Sequence, residues 1–237
     1  MNDCCSAAFD GFTAANVRPI DLAAQAAGGP IALRLWTDAL VAKVTGAPPK
    51  FPFDERRYVA EALDAVESVV AVDDADEAVS SVVQLEIPDP PICPADPAGK
   101  KVLVTGCYDL MHSGHIRFFE EASAYGDLYV VVGHDANIKL LKGNDRPLVS
   151  DRERCYLCNA VRNVKLALVS SGHGWLDAAP EIERLRPDIY LVNEDGDNDE
   201  KRDFCAQAGL EYVVLPRTPP PGLTPRSSTQ LRSTMSQ

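Results

Sequence analysis

From residue 101 onward the chain alternates short apolar runs with helical patterns. Lys101–Thr105 is rich in β-branched residues and free of proline, which predicts a buried strand. Ile116–Ala122 has helical periodicity. Leu128–Gly133 predicts a second buried strand, and Ser150 or Asp151 caps a helix that runs to about Val161. Leu166–Val169 is a third strand, and Trp175–Leu185 is a helix stopped by Pro187. Asp188–Val192 follows as a fourth strand. Asp199–Ala208 is a helix closed by Gly209, and Glu211–Leu215 is the fifth strand. Strict alternation predicts an α/β fold, a Rossmann-like, doubly wound parallel sheet of five strands with helices on both faces. Ligands of such sheets lie beyond the carboxyl ends of the strands.

The Ala-rich stretch before residue 98 reads as a worn, truncated copy of the same pattern. Asp38–Val72 aligns with Asp135–Val169 at a constant offset of 97. Identities are Asp38/Asp135, Ala39/Ala136, Gly46/Gly143, Asp54/Asp151, Arg57/Arg154 and Val72/Val169. Upstream, at an offset of 99, Phe9-Asp10 matches Tyr108-Asp109 and Val17-Arg18 matches Ile116-Arg117. Asn2–Ala7, opposite the first strand of the second copy, has poor strand propensity. After Val72 the copy has no counterpart of the region from Pro187 onward, and Asp73–Glu77 reads as a solvated turn. Prolines at 88, 90, 91, 94 and 97 predict a stiff extended linker. The boundary therefore falls near residue 98, with a degenerate copy over 1–98 and an intact domain over 99–237.

Composition narrows the function. A net charge of −12 over 237 residues argues against nucleic-acid binding, which needs a basic face. It leaves room for a small anionic substrate held by a local cationic cluster. Seven cysteines, with Cys155 and Cys158 inside a helical pattern, read as free thiols in a reducing cytoplasm rather than a disulfide framework. No signal peptide or membrane span is visible.

The candidate chemistry sits where the first strand of the second domain hands over to a helix, in Gly106–His115. His112 and His115, three apart, fall on one face of the first helical turn. Unpaired amides and the helix dipole favour anions there, so the pair reads as a phosphate site. His-x-x-His also suits zinc, but no further ligand sits nearby at the usual spacing. Three more clusters fall at strand ends. One is Asp135–Pro147, where Lys142 supplies a point charge and Arg146 a fork for phosphate. The next is Asn193–Asp197. The last is Arg226–Arg232, hydroxyls and amides entering a helix between arginines.

Gly106-Cys107-Tyr108-Asp109-Leu110-Met111-His112-Ser113-Gly114-His115 resembles the signature of the cytidylyltransferase-like nucleotidyltransferases, with Tyr108 where the family usually has Phe. Leu141–Pro147 resembles the branch of that family that adenylylates heptose phosphate. Arg226–Thr229 resembles its Ser-Ser/Thr-Thr phosphate motif, and Asn193–Asp197 its Gly-Asp-Asp segment, with Asn193 and Glu194 departing from it. The resemblance implies that CTP or ATP is attacked at its α-phosphorus by a phosphorylated small-molecule acceptor. His112 and His115 would be hydrogen-bond donors to the reacting phosphates. Lys142, Arg226 and Ser228 would hold the triphosphate, and Mg²⁺ would screen it. Gly106, Cys107, Tyr108, Asp109, Gly114, Asn193, Asp195, Ser227 and Thr229 would complete the nucleotide site. Asp135, Arg146, Arg154 and Trp175 would face the acceptor, with packing left open for Trp175 and His173. No metal ligand set is assigned. A non-catalytic nucleotide sensor or scaffold is the rival function, since Thr13–Asn16 replaces the histidine motif in the first copy. Family members often dimerise through the segment matching Val161–Lys165. An internal pseudo-dimer is therefore expected, in which Asp64 and Glu67 face Arg162 and Lys165, with an ordinary homodimer as the alternative.

Overall fold

The structure, a computed structural model, describes residues 4–74 and 86–235. The first half runs β1 (Cys4–Ala7), α1 (Ala14–Ala27), β2 (Ile31–Trp36), α2 (Asp38–Thr45), α3 (Phe53–Glu61) and β3 (Val66–Val72). The second runs β4 (Lys101–Gly106), α4 (Ser113–Ser123), β5 (Asp127–Val132), α5 (Asp135–Lys142), α6 (Asp151–Asn159) and β6 (Val164–Val169). It continues through α7 (Ala179–Leu185), β7 (Ile189–Asn193), α8 (Asp199–Ala208), β8 (Glu211–Leu215) and α9 (Ser228–Met235).

The second sheet is wholly parallel, in the order β6-β5-β4-β7-β8. Chain direction across it reverses between β4 and β7, which opens a crevice at their carboxyl ends. One face of the sheet packs in a core with Val104, Val130 and Leu191, the other in a core with Leu103, Tyr129 and Tyr190. This two-sided burial is why the strands read as continuous apolar runs.

The first half has a parallel sheet in the order β1-β2-β3, matching β4-β5-β6. Its local geometry repeats as well. Phe9 and Tyr108 both take left-handed backbone, at φ 49° and 53°. Asp10 accepts from the amides of Lys50 and Phe51, as Asp109 does from Leu148 and Val149. The constant offset of 97 is corrected. Arg56, not Arg57, is the counterpart of Arg154, because one residue fewer separates it from Asp38 than separates Arg154 from Asp135. Arg56 bonds the carbonyls of Ala8, Trp36 and Phe51 and the carboxylate of Asp38. Arg154 bonds those of Cys107, Gly133 and Val149 and the carboxylate of Asp135.

The two halves meet about a local pseudo-twofold axis. Leu63 and Val161, which are 98 positions apart, form an antiparallel bridge with each other. Asp64 N donates to Ala160 O, and Arg162 N donates to Ala62 O. Tyr58 donates to Glu120 on one side, and Tyr156 donates to Asp21 on the other. Helix α3 packs on α4 and α1 on α6, within one apolar cluster that includes Val59, Leu63, Ile116, Leu157 and Val161. The expected charge pairing is not what joins them. The Arg162 guanidinium donates to the carbonyls of Leu63 and Val66, and Lys165 lies 4.0 Å from Asp127 of its own half. At a register of 98 the Arg162 guanidinium is bonded to backbone, with Asp64 and Glu67 lining the same surface cleft beside it.

Other expectations shift locally. Cys4–Ala7 is a strand despite its composition, because pairing with β2 and a Trp36 indole bond to Ser6 (2.8 Å) outweigh weak propensity. The lysine-bearing segment begins as helix α5, capped by His134 accepting from Asn137 N, and turns only at Gly143. The Trp175–Leu185 helix divides into a 3₁₀ turn at 174–176 and α7. The proline-rich segment is free of helix and strand over 86–98 but is fastened, through Asp96 N to Arg184 O (2.7 Å) and Lys101 to Asp96 (2.8 Å). Asp73 accepts from Thr37 Oγ1, and Ala75–Glu77 lies outside the described residues. No helix among the described residues is long and apolar enough to cross a membrane. Cys155 and Cys158 are buried free thiols, the former pushed up to about 12 by burial.

Candidate active site

The crevice between β4 and β7 is an open cleft walled by the end of β4, the first turn of α4, the end of α5, the turn after β7 and the loop after β8. Twelve residues singled out from the sequence converge on it: Gly106, Cys107, Tyr108, Asp109, His112, Gly114, His115, Lys142, Arg146, Asn193, Asp195 and Ser228.

His112 is the N-cap of α4. Its Nδ1 accepts from Gly114 N at 3.1 Å, and Nδ1 of His115 accepts from His112 N at 3.3 Å. A nitrogen that accepts carries no proton, so each neutral ring keeps its hydrogen on Nε2. The rings lie 4.1 Å apart by centroid, and buried His112 Nε2 has no partner in the protein. Burial, then the Arg217 and Arg226 charges, push His112 down to about 4. Burial, then His112 and Arg217, hold His115 well below the usual histidine range. Both rings are therefore neutral donors at physiological pH. Gly114 permits this packing, since a Cβ there would stand 2.9 Å from the His112 ring.

Cations ring the cleft. Lys142 is exposed at the end of α5. Arg217 pairs with Asp195 at 2.9 Å and donates to Arg226 O at 2.9 Å. Arg232 pairs with Asp109 at 2.6 Å, and Lys201 donates to Gly196 O at 2.6 Å. Sequence reasoning missed Arg217 and Lys201, whereas Arg232 is the second of the two arginines expected to flank the serine cluster. The signal for Arg217 was present, for it stands two residues past the end of the fifth strand, after Pro216, where the same strand-end logic applies.

Six expected site residues, and His173, lie elsewhere. Arg154 is fully buried and its guanidinium is consumed by three carbonyls and Asp135, so it is not presented to an acceptor, while Asp135 spends Oδ1 on Arg154 and on the amide of Asp151. The first half repeats this network at Arg56 and Asp38 without any histidine pair, which marks it as scaffold that ties strand ends together. Arg154→Ala would leave these groups unpaired in the interior. It is expected to lower unfolding stability by about 3–5 kcal/mol, read from the urea midpoint. Trp175 is half-exposed and packs edge-on against Phe204, and His173 packs edge-on against His134. Ser227 caps α9 through Gln230 N, and Thr229 lies in its first turn. The side chain of Arg226 turns toward the first half, pairing with Glu55 at 2.7 Å.

The described residues hold no cluster of three His, Cys, Asp or Glu side chains fit for a metal. The two carboxylates of the cleft, Asp109 and Asp195, are both engaged by arginines. These residues do not by themselves compose a magnesium site, so any Mg²⁺ would have to draw most of its ligands from the phosphates of a bound nucleotide and from water.

A family model described as cytidylyltransferase-like matches residues 103–233. The bifunctional protein HldE of Syntrophotalea carbinolica is 38% identical over 99 residues, covering 41% of this chain and 20% of that protein. Its counterpart from Desulfatibacillum aliphaticivorans is 39% identical over 122 residues, covering 50% of this chain and 24% of that protein. The matched stretch thus spans about a fifth to a quarter of these curated relatives. A crystal structure of the lipopolysaccharide core biosynthesis protein from Thermoplasma volcanium aligns with a TM-score of 0.43 at 22% identity, covering 52% of this chain and 98% of that one.

Proposed function

The chain belongs to the cytidylyltransferase-like family, and from that premise we propose that it transfers a nucleoside monophosphate from CTP or ATP to a small phosphorylated acceptor. A phosphate oxygen of the acceptor, already ionised at neutral pH, attacks the α-phosphorus in line. The α-phosphorus–oxygen bond to the β-phosphate breaks, and pyrophosphate leaves with the electron pair. No protein base or nucleophile is needed, so the residues position the reactants and stabilise charge. The observation that carries this reading is the pair of neutral imidazoles locked through Nδ1, which leaves an Nε2 hydrogen on each ring as the donor to phosphoryl oxygens in the cleft. Lys142, Arg146 and Arg217 supply positive charge around the triphosphate, and Ser228 sits at the mouth of α9 beside them.

The test is pyrophosphate release measured with each of four nucleoside triphosphates against phosphorylated polyols, sugars and amino alcohols. Release that requires one triphosphate and one acceptor class supports the proposal. Silence across the panel, with triphosphate still bound, would instead favour a sensor. Lys142 gives a second measurement. Exposed at a helix end, it can be removed without touching the core, so Lys142→Ala should melt as the parent does. Its triphosphate affinity should fall about 10–100-fold, the value of one charge-assisted contact. Unchanged affinity by calorimetry would remove Lys142 from the site.

A further inference from the structure

One buried carboxylate of the first half reaches the machinery of the second. Glu55, in the first turn of α3, is only 3% exposed. Its Oε1 accepts from Ser113 Oγ at 2.9 Å, one residue after His112 at the start of α4. Its Oε2 accepts from Arg226 Nε at 2.8 Å and Nη2 at 2.7 Å. The Arg226 guanidinium also lies over the Phe51 ring, 5.6 Å from its centroid. The first half therefore grips this side chain by charge and by an aromatic face. The main chain of Arg226 faces the other way, and its carbonyl accepts from Arg217 Nη2 at 2.9 Å. Arg217 lines the cleft and lies close enough to the histidines to depress both.

The pseudo-twofold relation sharpens the point. Glu153, the counterpart of Glu55, accepts from Ala14 N at 3.1 Å at the start of α1. Both glutamates thus meet the opposite half at a helix start. Among the described residues the first half has no region equivalent to residues 187 onward, and so no loop for Glu153 to hold. Of the two glutamates, Glu55 is the one that connects to a loop lining the cleft.

We infer that Glu55 is a positioning residue of the nucleotidyl-transfer site, holding Arg226 and through its carbonyl the Arg217 guanidinium, and seating the first turn of α4. The site is then incomplete without the first half. This rests on the function proposed above, and the readout is chosen so that the two can fail separately.

Affinity for the nucleoside triphosphate, measured by calorimetry on the full chain, is the primary observable. Glu55→Ala and Glu55→Gln should each weaken it roughly ten-fold, within the range for residues sharing one network. Where turnover is measured, KM for the triphosphate should rise by a similar factor, with kcat changed less than about three-fold. Coupling separates positioning from general destabilisation. Once Arg217→Lys has been introduced, Glu55→Gln should cost little more. Should Glu55→Ala not fold, the isosteric Glu55→Gln carries the comparison, and Arg226→Gln approaches the same contact from the other side. Unchanged affinity in Glu55→Gln, or effects fully additive with Arg217→Lys, would overturn the assignment. A parent protein that binds triphosphate but releases no pyrophosphate would overturn the transfer reaction, while the affinities would still decide the role of Glu55.

Discussion

Replacing His115 by alanine is expected to cut pyrophosphate release about 10²–10³-fold, and His112→Ala by a similar factor, as loss of one preorganised oxyanion donor does. The expectation depends on both rings being neutral and fixed. Each Nδ1 is occupied by a backbone amide, so each ring presents one donor in one orientation. Alanine at 112 also removes the cap of α4, so part of its loss comes through the helix start; alanine at 115 removes the donor more cleanly. The pH dependence has a definite sign. Folding lowers His112 from near 6.5 to about 4, mainly by burial. The unfolded chain therefore binds the proton first. The stability this contributes is complete above about pH 6.5 and is lost as pH falls toward 4. Turnover should show no histidine inflection between pH 6 and 8 and should decline toward pH 4, where protonated Nδ1 no longer accepts from Gly114. Near-normal release by either variant, or a limb centred near 6.5 in kcat, would contradict the assignment.

The parts of this fold that depend on local pattern were legible. Val102-Leu103-Val104 and Tyr129–Val132 are buried on both faces, and their unbroken apolar character follows from that. The histidine motif was legible because strand, glycine turn and helix start are contiguous in sequence. Features that depend on contacts between distant residues were not. Arg57 matched Arg154 by residue type at a fixed offset, yet Arg56 has the hydrogen bonds. A one-residue length difference ahead of α3 hides this in one dimension. Arg226 adjoins the serines and was assigned to the triphosphate, although its side chain answers Glu55, 171 positions away. Arg217 was overlooked because it stands apart from the other cationic clusters in sequence, and it is the fold that brings the loop after β8 into the cleft with the histidines. Asp135 and Arg154 looked like substrate ligands because charged residues at strand ends often are. The duplicate network at Asp38 and Arg56 shows that the pair joins strand ends in both halves, a role that needs no ligand.

Cutting the chain before residue 99 is expected to change its oligomeric state and stability together. Among the described residues the first half covers α4 and α6. Leu157 and Val161 share one apolar cluster with Val59 and Leu63, and Tyr58 and Tyr156 close the two ends with hydrogen bonds to Glu120 and Asp21. Each large apolar side chain uncovered costs roughly 1.5–3 kcal/mol, so losing several rivals the whole stability of an ordinary domain. The exposed face has a ready alternative. The intramolecular contacts already obey a pseudo-twofold axis, and a surface that fits its own rotated copy is what a symmetric dimer requires. In the whole chain that face is occupied, so light scattering should report a monomer. The chain beginning at residue 99 should self-associate or unfold at lower urea. If it folds, it should bind triphosphate more weakly, because Glu55 and Phe51 no longer hold Arg226. A whole chain that dimerises would favour the homodimer and make the first half an appendage. A cut chain that stays monomeric, stable and fully active would show that the pseudo-symmetric contact supports neither fold nor site.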